Sequence, residues 1–170
     1  MDLLQSYEAQ LDNATTSKSV KKRLLREITK FDEENCSLMS IDTTIENNKT
    51  YPTINVIDFD NNLIYSFIID HSYPFRQPKV RINFRDYYQF LKSNYVPFSE
   101  FIKKQYKINC LCCSSMTCSD NWTPANTIIK LIQEIRMFKN YRRNFINKLM
   151  ADKIKLKYLI DDIDLNSWLF

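Results

Sequence analysis

Val20, Leu24, Ile28 and Phe31 recur at helical spacing, with Lys21, Lys22, Arg23 and Arg26 turned away from them. A single apolar stripe with basic flanks predicts an amphipathic helix from about residue 17 to 31, with Ser17 or Ser19 as its cap. The period then changes from helical to alternating. Residues 36–44, 53–58 and 63–69 are rich in Ile, Val, Thr and Phe and predict three strands. Asp60-Asn61-Asn62 supplies turn chemistry between the last two. Neither period survives in Tyr73-Pro74-Phe75-Arg76-Gln77-Pro78, where two prolines fix φ and delete two amide donors. A rigid extended connector is expected there, running into a short strand at residues 79–84.

Beyond it, Tyr87, Tyr88, Phe90, Leu91, Tyr95, Phe98 and Phe101 form an aromatic insertion at about residues 85–106, interrupted by Pro97. Lys107-Ile108-Asn109-Cys110-Leu111 predicts a short strand, and Asp120-Asn121-Trp122-Thr123-Pro124-Ala125 a turn. From Asn126 to Met137 a helix is expected with Ile128, Leu131, Ile132 and Ile135 on one face, followed by a basic helix to Tyr158 striped with Phe138, Tyr141, Phe145 and Leu149. Residues 1–16 have weak periodicity and predict a loosely held arm or short helix. Residues 159–170 join Asp161, Asp162 and Asp164 to Trp168, Leu169 and Phe170, a tail suited to docking on the domain or to recognition by a partner. The element order describes one α+β domain over residues 17–158.

Composition narrows the function. A chain of 170 residues with 44% hydrophobic content builds one sizeable core. No apolar run nears the roughly 18 residues of a membrane span, and the start lacks a signal-peptide layout, so no membrane partner and a cytoplasmic or nuclear location are expected. Glycine is absent, which excludes phosphate cradles of the glycine-rich kind. The net charge of +4 is interspersed and does not argue for nucleic acid. Lys139, Arg142, Arg143, Lys148, Lys153, Lys155 and Lys157 are expected as a solvated helix face. The abundance of Lys and Asn points to an AT-rich genome, such as that of a large DNA virus or a parasite. Five cysteines without a secretion signal are expected as reduced thiols. Cys36 falls in a strand candidate and is expected in the core, whereas Cys110, Cys112, Cys113 and Cys118 crowd into nine positions. His71 is the one histidine, expected at the surface or as a cap.

The connector Tyr73-Pro74-Phe75-Arg76-Gln77-Pro78-Lys79-Val80 and the turn around Trp122 together resemble the ubiquitin-conjugating enzymes. That family's hallmarks are Tyr-Pro-Phe-x-x-Pro-Lys-Val and a later Asn-Trp-Ser-Pro-Ala. Lys22-Arg23-Leu24-Leu25-Arg26-Glu27-Ile28 is similar to its first helix, and the resemblance covers residues 17–137. It implies a UBC-like fold of N-terminal helix, antiparallel meander and C-terminal helices. It also implies a cysteine thioester that carries ubiquitin or a ubiquitin-like protein to a lysine or a ligase. Cys110 is the carrier implied, because Cys110-Leu111 stands as the family's Ile-Cys-Leu does. The usual spacing of eight residues to the tryptophan would fall on Ser114, so Cys110 entails an insertion of four residues. Cys113 and Cys118 are the next candidates.

The family's His-Pro-Asn is absent here, and Asn109 is the asparagine beside the cysteine. Asp120 has the chemistry to orient or deprotonate an incoming amine. The resemblance implies contact with the activating enzyme through Lys22, Arg23 and Arg26, and with a RING-type ligase through Phe75, Pro124 and Ala125. No cofactor is implied. The alternative is a catalytically inactive UBC-like module that binds ubiquitin or a RING-type ligase. A third reading places zinc among Cys110, Cys112, Cys113 and Cys118. Four sulfurs in one loop, two of them adjacent, depart from the usual pair of separated knuckles, so no metal is expected.

Overall fold

The stripe predicted for the first amphipathic segment is buried: Val20, Leu24, Ile28 and Phe31 are all at most 3% exposed. They lie on α2 (Lys18–Glu34). Ser17 Oγ accepts from Val20 N at 3.4 Å, and the Ser17 carbonyl accepts from Lys21 N at 3.0 Å, so Ser17 is the cap. Lys22 and Arg26 are exposed, but Lys21 and Arg23 are partly buried, which corrects the expectation that all four face outward. Lys21 pairs with Glu8 and Asp12 of α1 (Leu3–Asn13). The N-terminal arm is therefore a helix, and its Tyr7 and Leu11 join the core. The computed structural model describes residues 3–13, 17–34, 38–92 and 95–158. Cys36 and the tail at 159–170 lie outside them.

The sheet is a five-stranded antiparallel meander in chain order: β1 (Leu38–Glu46), β2 (Lys49–Asp58), β3 (Leu63–Ile68), β4 (Lys79–Ile82) and β5 (Arg85–Asp86). Its register sets Ile41, Ile54, Phe67 and Val80 in one cross-strand row and Met39, Val56, Tyr65 and Ile82 in the next. Both rows face the core, as a period of two requires. Burying each large apolar side chain contributes roughly 1.5–3 kcal/mol. On the opposite face Ser40, Asn55, Ser66 and Arg81 line up across the same four strands.

A chain without glycine must place other residues where the backbone turns left-handed. Positive φ occurs among the described residues at Asn47, Asn48, Asn62, Asn83, Phe84 and Lys107. Asparagine dominates because its short amide tolerates this region best after glycine. The Asn47-Asn48 pair makes the β1–β2 hairpin, and Asn83-Phe84 makes the β4–β5 hairpin. The strand expected over 79–84 consequently stops at Ile82.

The aromatic insertion is built into the core. It forms α3 (Tyr87–Leu91) and α4 (Val96–Tyr106), with Pro97 in the first turn of α4, where its missing amide costs nothing. Tyr87, Leu91, Phe98 and Ile102 are buried. The two helices expected after the Trp122 turn are one, α6 (Ile128–Tyr158), and it packs against α2 and α4. The basic face of α6 is less solvated than expected. Arg142 lies 4.3 Å from the Phe90 ring centroid and donates to the Phe90 carbonyl, while Lys139 donates to the Asn61 carbonyl. Among the described residues, no helix is long and apolar enough to cross a membrane.

Candidate active site

The proline connector is not extended as expected but turns through residues 71–76, where the amides of Phe75 and Arg76 donate to the Ser72 carbonyl, and it meets the Trp122 turn. Trp122 Nε1 donates to the Pro74 carbonyl at 2.8 Å, and the Tyr73 and Trp122 rings lie 6.2 Å apart. A third segment, the cysteine loop, is held between them. Gln77 Nε2 donates to the Thr117 carbonyl at 3.3 Å, and Asn121 Nδ2 donates to the carbonyls of Cys113 at 2.7 Å and Ser115 at 3.0 Å.

Two buried carboxylates anchor this assembly to the helices. Glu27, 5% exposed, accepts from Arg23 Nε at 2.5 Å, from the Tyr73 hydroxyl at 2.7 Å and from the Ile128 amide at 2.9 Å. It therefore pins the connector while satisfying one of the orphan amides at the start of α6. Arg23 extends the network by donating to the Pro124 carbonyl at 3.2 Å and the Asn126 carbonyl at 3.1 Å. Glu134, 6% exposed, accepts from the Tyr87 hydroxyl at 3.0 Å, from Ser115 Oγ at 2.6 Å and from the Met116 amide at 2.7 Å. Burial, followed by the neighbouring Glu27 or Glu134 carboxylate, raises the phenol pKa of Tyr73 and Tyr87. Both hydroxyls therefore stay protonated as donors.

Cys110 occupies the head of a single helical turn, α5 (Leu111–Ser114), with extended backbone at φ −153° and ψ 127°. Residues 107–111 form no strand, which corrects the short strand expected there. Lys107, at φ 60°, closes α4 and redirects the chain. Cys110 Sγ lies 2.7 Å from Cys112 Sγ, and Cys112 Sγ lies 3.9 Å from Cys113 Sγ. The Cys110 thiol is lowered to about 7, first by the Cys112 side-chain hydrogen bond and then by the Cys113 amide. Cys112 is pushed up to about 11 by the same contact and by partial burial, and the pKa of exposed Cys113 is raised chiefly by the neighbouring Cys110 sulfur. Cys110 is thus the sulfur of the cluster that ionises most readily, titrating near neutral pH, while Cys112 and Cys113 are biased toward the thiol.

The other sequence candidates divide by exposure. Phe75 is 79% exposed, and Pro124, Ala125, Asn109 and Asp120 are also exposed. Asp120 Oδ1 accepts from Ser119 Oγ at 3.3 Å. Lys22 and Arg26 are free to meet solvent, whereas Arg23 is folded into the Glu27 network. Cys118 lies outside the three-sulfur cluster, and its carbonyl accepts the Asn121 and Trp122 amides. His71 is exposed, with Nδ1 at 2.5 Å from Asp70 Oδ1. Sequence reasoning did not single out Glu27, Tyr87, Ser115, Asn121 or Glu134 as site residues. A glutamate on the apolar side of α2, one position before Ile28, was the available signal for Glu27. Comparison with protein-family models, with curated proteins and with solved structures returns no match to this chain.

Proposed function

We propose that this chain is a divergent ubiquitin-conjugating enzyme of UBC-like fold, with Cys110 as the thioester carrier. The observation that carries this reading is the Trp122–Pro74 hydrogen bond. It ties together the two segments whose sequences resemble the family, with the lowered-pKa thiol of Cys110 in the loop they support.

In the proposed reaction the Cys110 thiolate attacks the thioester carbonyl of a modifier held on its activating enzyme. The activating enzyme's thiolate leaves, and the acyl group rests on Cys110 Sγ. A lysine amine then attacks the new thioester, Cys110 departs as thiolate, and the amine's proton passes to a base. Exposed Asp120 is the carboxylate assigned to that proton. Exposed Asn109, adjacent to the nucleophile, is assigned to the oxyanion. Phe75, Pro124 and Ala125 would meet a RING-type ligase, and Lys22 and Arg26 the activating enzyme. Arg23 would act indirectly, by holding the Pro124 carbonyl.

A second reading, a catalytically inactive module that binds ubiquitin or a RING-type ligase, is favoured by the exposure of Phe75 at 79%. That surface is built by the connector and does not require a reactive thiol. A charging assay with activating enzyme, ATP and ubiquitin separates the two. The enzyme reading expects a reductant-sensitive adduct that is lost or becomes reductant-resistant in Cys110→Ser. The absence of any adduct, where a control conjugating enzyme is charged, would favour the binding module.

A further inference from the structure

The loop carries more sulfur than a single nucleophile needs. Cys110, Cys112 and Cys113 bring their three Sγ atoms within 4.8 Å of one another, all from one turn of chain. None of the three is buried, so an ion reaches them from solvent. Asn121 braces the turn through the Cys113 carbonyl at 2.7 Å, and Ser114 N closes onto the Cys110 carbonyl at 3.1 Å.

We propose that Cys110, Cys112 and Cys113 form a binding site for one thiophilic closed-shell cation, copper(I). Three thiolates around one ion, with bonds of about 2.3 Å, stand about 3.8–4.0 Å apart. The Cys112–Cys113 pair already has that separation at 3.9 Å. The Cys110–Cys112 pair, at 2.7 Å, reaches it by opening through a small side-chain rotation. The donor set decides the ion. Softness restricts three sulfurs to copper(I), zinc or iron–sulfur chemistry. Structural zinc and iron–sulfur clusters ask for four protein ligands, and zinc sites with three protein ligands and an open position include histidine. Among the described residues the group holds three, with neither histidine nor carboxylate in it. Copper(I) is satisfied by three thiolates in a plane. Binding releases the thiol protons still held and makes three copper–sulfur bonds with no change of oxidation state. The site does not depend on the conjugating reading. If that reading holds, metal and acyl group compete for the Cys110 sulfur.

The test is transfer of copper(I) from a chromophoric chelator to fully reduced protein under anaerobic conditions. Wild type is expected to take one equivalent and to show a sulfur-to-copper charge-transfer band in the ultraviolet. Cys112→Ser and Cys113→Ser are each expected to weaken uptake by more than about 100-fold, beyond what loss of a merely supporting contact costs. Cys118→Ser is expected to bind as wild type. Because Cys113 is exposed, Cys113→Ser keeps the fold, and circular dichroism checks this. No transfer to wild type, undiminished affinity in Cys113→Ser, or an equal loss in Cys118→Ser would each overturn the proposal.

Discussion

Trp122 and Pro74 are 48 positions apart in the chain, yet the indole donates to the proline carbonyl at 2.8 Å. Trp122 is 8% exposed and its ring lies against Tyr73. Replacing it with Phe keeps most of the apolar volume and leaves the Pro74 carbonyl unpaired. Trp122→Phe is expected to lower stability by about 1–2 kcal/mol, read as a shift in denaturant midpoint at constant slope. An unchanged midpoint would mean that the two motifs are held by packing alone.

Glu134 ties three donors from two other segments to α6. Glu134→Gln retains the shape and loses one acceptor, whereas Glu134→Ala leaves the Tyr87 hydroxyl, Ser115 Oγ and Met116 amide without their partner. The alanine variant is expected to cost on the order of 3 kcal/mol and the glutamine variant about half that. Thermal unfolding of the two variants measures the difference, and equal losses would contradict the assigned donors.

Cys110, lowered to about 7, is expected to be the fastest-alkylated cysteine of the reduced, chelator-treated protein. Its rate should rise through about pH 7 and level off above it, since the thiolate is the reactive form. Cys112 is pushed up to about 11 and should contribute little below pH 9. Cys112→Ala removes the leading hydrogen bond to Cys110, so the Cys110 midpoint should move upward and its rate at pH 7 should fall. Peptide mass mapping after timed iodoacetamide treatment reads each site separately.

Asp58, 1% exposed, accepts from Arg136 at 2.7 Å, from the Tyr65 hydroxyl at 2.8 Å and from the Asn61 amide at 3.1 Å. Burial alone would raise its pKa. The Arg136, Tyr65 and Asn61 contacts outweigh burial and hold it below the usual carboxylate range. A carboxyl depressed in the folded state stabilises the fold fully above its unfolded value of about 3.9. That contribution is lost as pH falls through the folded pKa. Asp58→Asn should therefore lower stability at pH 7 by on the order of 2 kcal/mol and flatten the acid side of the stability curve. Parallel acid limbs in the two proteins would contradict the assignment.

The legible part of the fold was local. The stripe of α2 and the rows of β2 and β3 follow from side-chain period, and each was read from its own segment. The Asn47-Asn48 hairpin was not read, because a turn of two asparagines lacks the glycine that usually marks it. Lys107-Ile108-Asn109-Cys110-Leu111 is expected as a short strand ending in Cys-Leu. However, Lys107 enters the left-handed region and Cys110 heads a helical turn, so the segment forms no strand. The site was legible as two motifs, but not in what joins them. Glu27 and Ile128 are 101 positions apart, and Glu134 and Tyr87 are 47 apart. No periodicity records such a pairing. Arg23 shows the cost: placed outward by helical spacing, it turns inward because the Pro124 and Asn126 carbonyls offer acceptors there.

If Cys110 is the acyl carrier proposed above, the acyl group is found on its sulfur. Protein incubated with activating enzyme, ATP and ubiquitin is quenched without reductant, weighed intact and mapped by peptide mass. One modifier per chain, linked at Cys110 and released by reductant, is the predicted result. An adduct at Cys113 or Cys118, or no adduct where a control conjugating enzyme is charged, would contradict it.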